Sequence, residues 1–178
     1  MKFSKPLTRE FAQSVIKYGL VQENDRILLG FSGGKDSFAL AFLLKRMQRV
    51  GFKNFSFKAL SVVYDDEDLS PQHEILRTHG IESEILKTNI FARSSLELRK
   101  NSSACSYFSR QRRGELYLYA KRHNFNKLAL AHHLDDAVQS FFMNLFLNGK
   151  MRSMPPKYFT QDGALEVIRP LVQIKEEK

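Results

Sequence analysis

Apolar residues along this chain follow two rhythms, short unbroken runs and a spacing of three to four. Their alternation predicts strands and helices in turn. Phe11, Val15 and Ile16 share one side of an opening helix over about residues 8–18, which Gly19 ends. Ile27, Leu28 and Leu29 lead to Gly30 as a buried strand, a glycine-rich polar stretch follows, and Leu40, Leu43, Leu44, Met47 and Val50 return at helical spacing. Residues 55–64 form a second strand, more apolar toward its end as a central parallel strand would be. A helix begins at Ser70-Pro71 and stops at Gly80, with Pro at the tolerated first position and Gly at the stop. Residues 81–86 give another strand.

Beyond it, residues 91–100 are more weakly helical and Asn101-Ser102-Ser103 breaks the pattern. Lys127-Leu128-Ala129-Leu130-Ala131 is a short buried strand, after which Val138, Phe141, Phe142, Leu145 and Phe146 continue at helical spacing and mark a further helix. Strands separated by helical crossovers predict an α/β fold: an open, mainly parallel twisted sheet with helices on both faces and right-handed connections.

The 178 residues suffice for a single domain, 1–178, with a sizeable core. The apolar run 38–44 is too short to span a bilayer and the first six residues lack the apolar core of a signal peptide, so a cytoplasmic protein without a membrane partner is expected. One cysteine excludes an intramolecular disulfide framework. With 28 Lys and Arg against 19 Asp and Glu, the formal net charge of +9 suits a polyanionic partner without identifying it.

The chemistry begins in the polar stretch. Ser32-Gly33-Gly34-Lys35-Asp36-Ser37 lies between strand and helix, where glycines let backbone N–H groups converge and the helix start adds unpaired donors and a positive dipole end. Phosphate is the expected ligand. A Walker A loop ending at Gly34-Lys35 would need Gly at Leu29 and Ser or Thr at Asp36, and a Rossmann fingerprint would need a second glycine in register after Gly30. Neither is present. Asp65-Asp66-Glu67-Asp68 reads as a solvated loop in preference to a metal site.

Arg110, Arg113, Tyr117 and Lys121 share one face of a basic helix, suited to an RNA backbone with the tyrosine available to stack on a base. Arg112 falls on another face with Leu116, Tyr119 and Ala120, aimed at what the core edge encloses. His132-His133-Leu134-Asp135-Asp136 occupies a strand-to-helix corner, at the strand ends where ligands of open parallel sheets collect. These residues suit Mg²⁺ or a proton carrier, or else the aspartates simply favour a helix N-terminus.

The Ser-Gly-Gly-x-Asp-Ser pattern resembles the PP-loop of the ATP pyrophosphatase superfamily, whose members split ATP between the α and β phosphates and adenylate a substrate. Taken with Ser109-Arg110-Gln111-Arg112-Arg113-Gly114, Ala131-His132-His133-Leu134-Asp135-Asp136, the stretch 148–157 containing Met154-Pro155-Pro156-Lys157, and Ile168-Arg169-Pro170-Leu171, the chain is similar to the TtcA-type tRNA 2-thiocytidine synthetases. The resemblance implies ATP and Mg²⁺ at the strand ends, adenylation of a cytidine in the tRNA anticodon loop, and replacement of its oxygen by sulfur from a donor protein or sulfide. It implies that Ser32, Gly33, Gly34, Lys35, Asp36 and Ser37 hold phosphates, with Val63 and His133 also at the cofactor and Asp36 and Asp136 as Mg²⁺ ligands. Asp36, His133, Asp136 and Arg169 are then the catalytic set. Arg110, Arg112, Arg113, Lys121, Lys150 and Arg152 are the RNA contacts, and a homodimer is compatible with this reading.

Where the family has Cys-x-x-Cys, this chain has Cys105-Ser106-Tyr107-Phe108, and it stops at Lys178 without the third family cysteine. The family's C-terminal extension is therefore expected to be absent. Three thiolates for a 4Fe-4S cluster are not supplied, so the cluster expected of the family is not expected here and Cys105 is at most a sulfur carrier. A lysidine-synthase-like tRNA ligase is the alternative enzyme, and a catalytically lapsed nucleotide- or RNA-binding protein the alternative of another class.

Overall fold

Ser4 starts the first helix, α1 (Lys5–Tyr18), by accepting a hydrogen bond from the Leu7 amide at 3.3 Å, and Pro6 fits the first turn. The helix thus begins three residues ahead of the expected start at 8, and Gly19 ends it at φ 59°. The chain's structure, a computed structural model, describes residues 3–64, 67–88 and 104–176, and of 104–108 the backbone alone. The helical stretch expected at 91–100, Asp65 and Asp66 of the acidic loop, and the Cys105 side chain lie outside the described residues.

Then follow β1 (Arg26–Gly30), α2 (Lys35–Arg49), β2 (Ser56–Tyr64), α3 (Ser70–Thr78), β3 (Ser83–Thr88), α4 (Ala104–Arg122), β4 (Lys127–Ala129), α5 (Leu134–Asn148), β5 (Lys157–Phe159) and β6 (Glu166–Ile168). The strands form one sheet in the order β3-β2-β1-β4-β6-β5, with every neighbour parallel except the β5–β6 pair at the edge. The α/β expectation holds. The two strands after α5 were not visible in the periodicity.

Alternation along β2 sends Phe57 and Ala59 to a core shared with α1, α2 and α3, and Leu60, Val62 and Tyr64 to a second core under α4 at Leu116, Tyr119 and Ala120. Helices therefore cover both faces. α5 turns its apolar spacing outward: Ala137 is its buried residue, whereas Phe142 is 46% and Phe146 77% exposed. Its apolar spacing marks a surface stripe and not a core face. No helix among the described residues is long and apolar enough to cross a membrane.

From β1 the chain steps through β2 to β3 on one side, then returns to place β4 on the other. The order reverses between β1 and β4, and a ligand crevice opens there beyond the carboxyl ends of the strands.

Candidate functional site

β1 delivers the glycine loop to that crevice, and β4 delivers the histidine–aspartate corner. Phe31, the last residue before the loop, is pinned on both backbone groups: its amide donates to the Leu60 carbonyl at 2.9 Å and its carbonyl accepts from Ser61 Oγ at 2.6 Å. Gly33 then takes φ 77°, a backbone angle that favours glycine, and a Cβ there would lie 2.9 Å from Leu69 Cδ2, so the leucine methyl would have to shift. Gly34 caps α2 without a side-chain acceptor, which leaves the first-turn amides open toward the crevice. Within the loop, the Ser32 hydroxyl accepts from the Gly34 amide at 3.4 Å, while Ser37 Oγ donates back to the Gly34 carbonyl at 2.7 Å.

Facing it, α5 starts at His133, whose amide donates to Asp136 Oδ2 at 2.9 Å; the carboxylate closes the helix start as a cap. The buried His133 ring lies among four carboxylates. Nε2 is 3.8 Å from Asp36 and 3.7 Å from Glu176, and Nδ1 is 3.5 Å from Asp135 and 3.6 Å from Asp136. Glu176, which sequence reasoning missed, is drawn in by the backbone: the Leu134 amide donates to the Ile174 carbonyl at 2.8 Å, and the Glu176 amide to Asp135 Oδ2 at 2.9 Å. Its carboxylate also pairs with Lys35 at 2.7 Å, and this bond holds the glutamate below the usual carboxylate range.

A cleft of about 160 Å³ opens beside the loop, walled by Leu60, Val62, Leu69 and Leu116 and edged by Glu67 and Arg112. It is smaller than the roughly 300 Å³ of a typical ligand pocket, which suits one flat ring rather than a whole nucleotide. Arg112 bonds Glu67 at 2.9 Å and stacks 4.8 Å over the Tyr64 ring. The structure thus places Arg112 at the cleft and not on the expected RNA face. It does not bring the Val63 side chain there: strand alternation turns Val63 to the opposite face, and Val62 lines the cleft.

Arg169 is buried beyond β6. It donates through Nη1 to the Pro155 carbonyl at 2.8 Å, lies 5.1 Å over the Tyr158 ring, and its Nε has no partner among the described residues. Burial, with the Arg169 and Arg113 charges adding, pushes His132 down to about 4, so this imidazole is neutral at physiological pH.

The expected RNA face is partly tied down. Tyr117 hydrogen-bonds Tyr158 at 2.9 Å and Lys121 pairs with Asp162, so the tyrosine is not the free stacking platform that helical spacing suggested. Arg110 and Arg113 stay exposed on that face, while Lys150 and Arg152 are exposed on the turn after α5.

Comparison with known proteins agrees with this geometry. The family described as the PP-loop domain matches residues 4–178. A protein of Stenotrophomonas maltophilia named tRNA-cytidine(32) 2-sulfurtransferase is 36% identical over 98% of this chain and 58% of its own length. The protein of the same name from Cronobacter sakazakii is 36% identical over 98% of this chain and 57% of its own. The chain therefore spans little more than half the length of these curated relatives. Among solved structures, the U34-tRNA thiolase NcsA of Methanococcus maripaludis, determined with its 4Fe-4S cluster, superposes with a TM-score of 0.75 at 22% identity, covering 99% of this chain and 63% of that one. The NH3-dependent NAD synthetase of Campylobacter jejuni superposes at 0.58 with 18% identity, covering 99% and 69%. Both show the same fold.

Proposed function

The chain belongs to the PP-loop domain family, and from that premise we propose that it binds ATP across the β1–β4 crevice and adenylates the 2-oxygen of a tRNA anticodon-loop cytidine, after which sulfur replaces that oxygen. The observation that carries this reading is the meeting of the glycine loop with the His133 corner at the one point where strand order reverses. The name of the curated relatives points to cytidine 32 as the nucleotide.

In this mechanism the triphosphate sits on the amides of the loop and of the α2 start, with Lys35 beside it. The adenine ring enters the apolar cleft under Arg112 and Glu67. Cytidine O2 forms a bond to the α-phosphorus, the bond from that phosphorus to the bridging oxygen breaks, and pyrophosphate leaves. Asp36 is the carboxylate that would hold Mg²⁺ here, with Asp136 offering the oxygen not committed to the helix cap; its oxygen ligands fit a hard cation. The ion supplies charge neutralisation on the phosphates. Arg169 and neutral His132 stand at the end of β6 and β4 to receive the target base and steady developing charge. In the second half, a sulfur nucleophile from an external donor attacks C2 and AMP departs with the former O2. Within these 178 residues Cys105 is the one thiol, and the steps above are written without a 4Fe-4S cluster.

The test is pyrophosphate release with ATP, Mg²⁺ and tRNA, followed by mass analysis of the tRNA nucleosides after a sulfide source is added. Asp36→Ala should abolish release with the fold intact by circular dichroism. Release with no thiolated nucleoside would confine the activity to adenylation, and no release in any condition would leave a binding protein.

A further inference from the structure

A second cleft, of about 490 Å³, lies between α4 and the β5–β6 hairpin, separate from the one beside the phosphate loop. Tyr117 and Lys121, one turn apart on α4, line one side, and Tyr158 of β5 with the turn residues Thr160, Gln161 and Asp162 lines the other. Its volume falls within the roughly 300–1,000 Å³ of a typical ligand pocket. The phenol oxygens of Tyr117 and Tyr158 share a hydrogen bond at 2.9 Å. The bond that keeps Tyr117 from turning freely therefore also fixes both rings as walls. Lys121 and Asp162 bridge the two sides as an ion pair, and Arg169 lies 5.1 Å over the Tyr158 ring. The exposed Gln161 side chain makes no hydrogen bond to another described residue, which leaves its amide donors and its carbonyl acceptor open.

We propose that this cleft takes an unstacked nucleobase of the RNA, one that flanks the target nucleotide. This rests on the tRNA reading above and adds a place for a second base. Fixed aromatic walls take the flat face of a base, and a free amide meets its donor and acceptor edge. Arg113, one turn before Tyr117 and without an ion pair to another described residue, supplies the charge for the phosphate beside that base. The separation excludes the target base itself. The Arg169 amide bonds the Pro156 carbonyl at 2.8 Å, and Tyr158 and Phe159 stand two and three residues along the chain, roughly 7–10 Å away. Stacked bases rise by about 3.4 Å, so bases held at Arg169 and in this cleft are splayed apart. A loop supplies such bases and a paired stem does not.

The chain has no tryptophan, so Tyr117→Trp introduces a single indole while keeping an aromatic wall. Its fluorescence should be quenched by tRNA and by an unpaired oligoribonucleotide, and much less by a blunt RNA duplex of the same length. Phe146→Trp, on the exposed stripe of α5, should respond to none of them. In filter binding of tRNA, Tyr117→Leu should weaken affinity about fivefold or more without changing the salt slope, because a stacked base carries no phosphate charge. Tyr117→Phe should keep the affinity. Equal quenching by the duplex or at Phe146→Trp, equal losses for Tyr117→Phe and Tyr117→Leu, or a loss that appears as a smaller salt slope would overturn the proposal. Full tRNA affinity in Tyr117→Leu would remove this base site and leave the tRNA reading standing, whereas no tRNA binding by the unaltered chain would remove both.

Discussion

The Ser61 hydroxyl reaches from β2 to the carbonyl of Phe31 at 2.6 Å, and so fastens the residue from which the phosphate loop departs. His73 Nε2 lies 2.8 Å behind the same hydroxyl. Ser61 has one hydrogen, already given to Phe31, so it accepts from an Nε2–H tautomer; the unpartnered Nδ1 agrees with that assignment. Ser61→Ala leaves a buried carbonyl and a buried imidazole N–H unpaired, which should cost about 1–3 kcal/mol. Urea denaturation measures this, and a cost below about 0.5 kcal/mol would show the fastening to be idle. ATP affinity should fall as well, because the loop loses its fixed point.

Acid should act through two imidazoles. Burial lowers His73, with Arg77 adding to it, and lowers His132 to about 4. A folded value below the unfolded one of roughly 6.5 means that the unfolded chain binds more protons in between. Stability is therefore full above about pH 6.5 and declines as pH falls toward about 4 for His132. His132→Asn should flatten that decline in denaturation midpoints recorded across the window. An equally steep decline would place the acid sensitivity elsewhere.

The apolar stripe of α5 lies at the surface. Phe146 is 77% exposed, so Phe146→Gln should shift stability by less than about 0.5 kcal/mol, whereas Leu28→Ala, at a fully buried position of β1, should cost about 2–5 kcal/mol. Thermal or chemical unfolding of the pair decides it. A loss of more than about 1 kcal/mol at Phe146 would mean that this face packs against something in the folded state in solution.

How much the sequence reveals depends on whether a residue's neighbours are local. β1, the loop and α2 were legible because run, glycines and helical spacing are consecutive. β5 and β6 were not, since each spans three residues and β6 carries Glu166, whose burial depends on Lys127 at 3.1 Å and Lys157 at 3.3 Å. A charge at the start of a strand conceals it from hydrophobic patterning. Glu176 had no signal in Lys175-Glu176-Glu177; tertiary bonds, Leu134 to Ile174 and Glu176 to Asp135, bring it to His133. Val63 failed by one step of strand parity, and for α5 the apolar spacing reports a stripe without saying what covers it.

The same distinction between spacing and partnership sharpens the RNA expectation. Helical phase put Arg110, Arg113 and Lys121 on one face, but Lys121 is paired with Asp162, which lowers the Asp162 carboxyl well below its usual range. A phosphate meeting Lys121 must displace that aspartate, whereas Arg113 makes no ion pair with another described residue. Unpaired cations that neutralise phosphates should dominate affinity and its salt dependence. Arg113→Glu should therefore weaken tRNA binding and reduce the slope of log affinity against log salt by about 0.7–0.9 for each phosphate that is no longer neutralised. Lys121→Gln should do much less, and Asp162→Asn, which frees the lysine, should strengthen binding at low salt. Filter binding across a salt series tests all three, and a larger loss of affinity for Lys121→Gln than for Arg113→Glu would reverse the assignment.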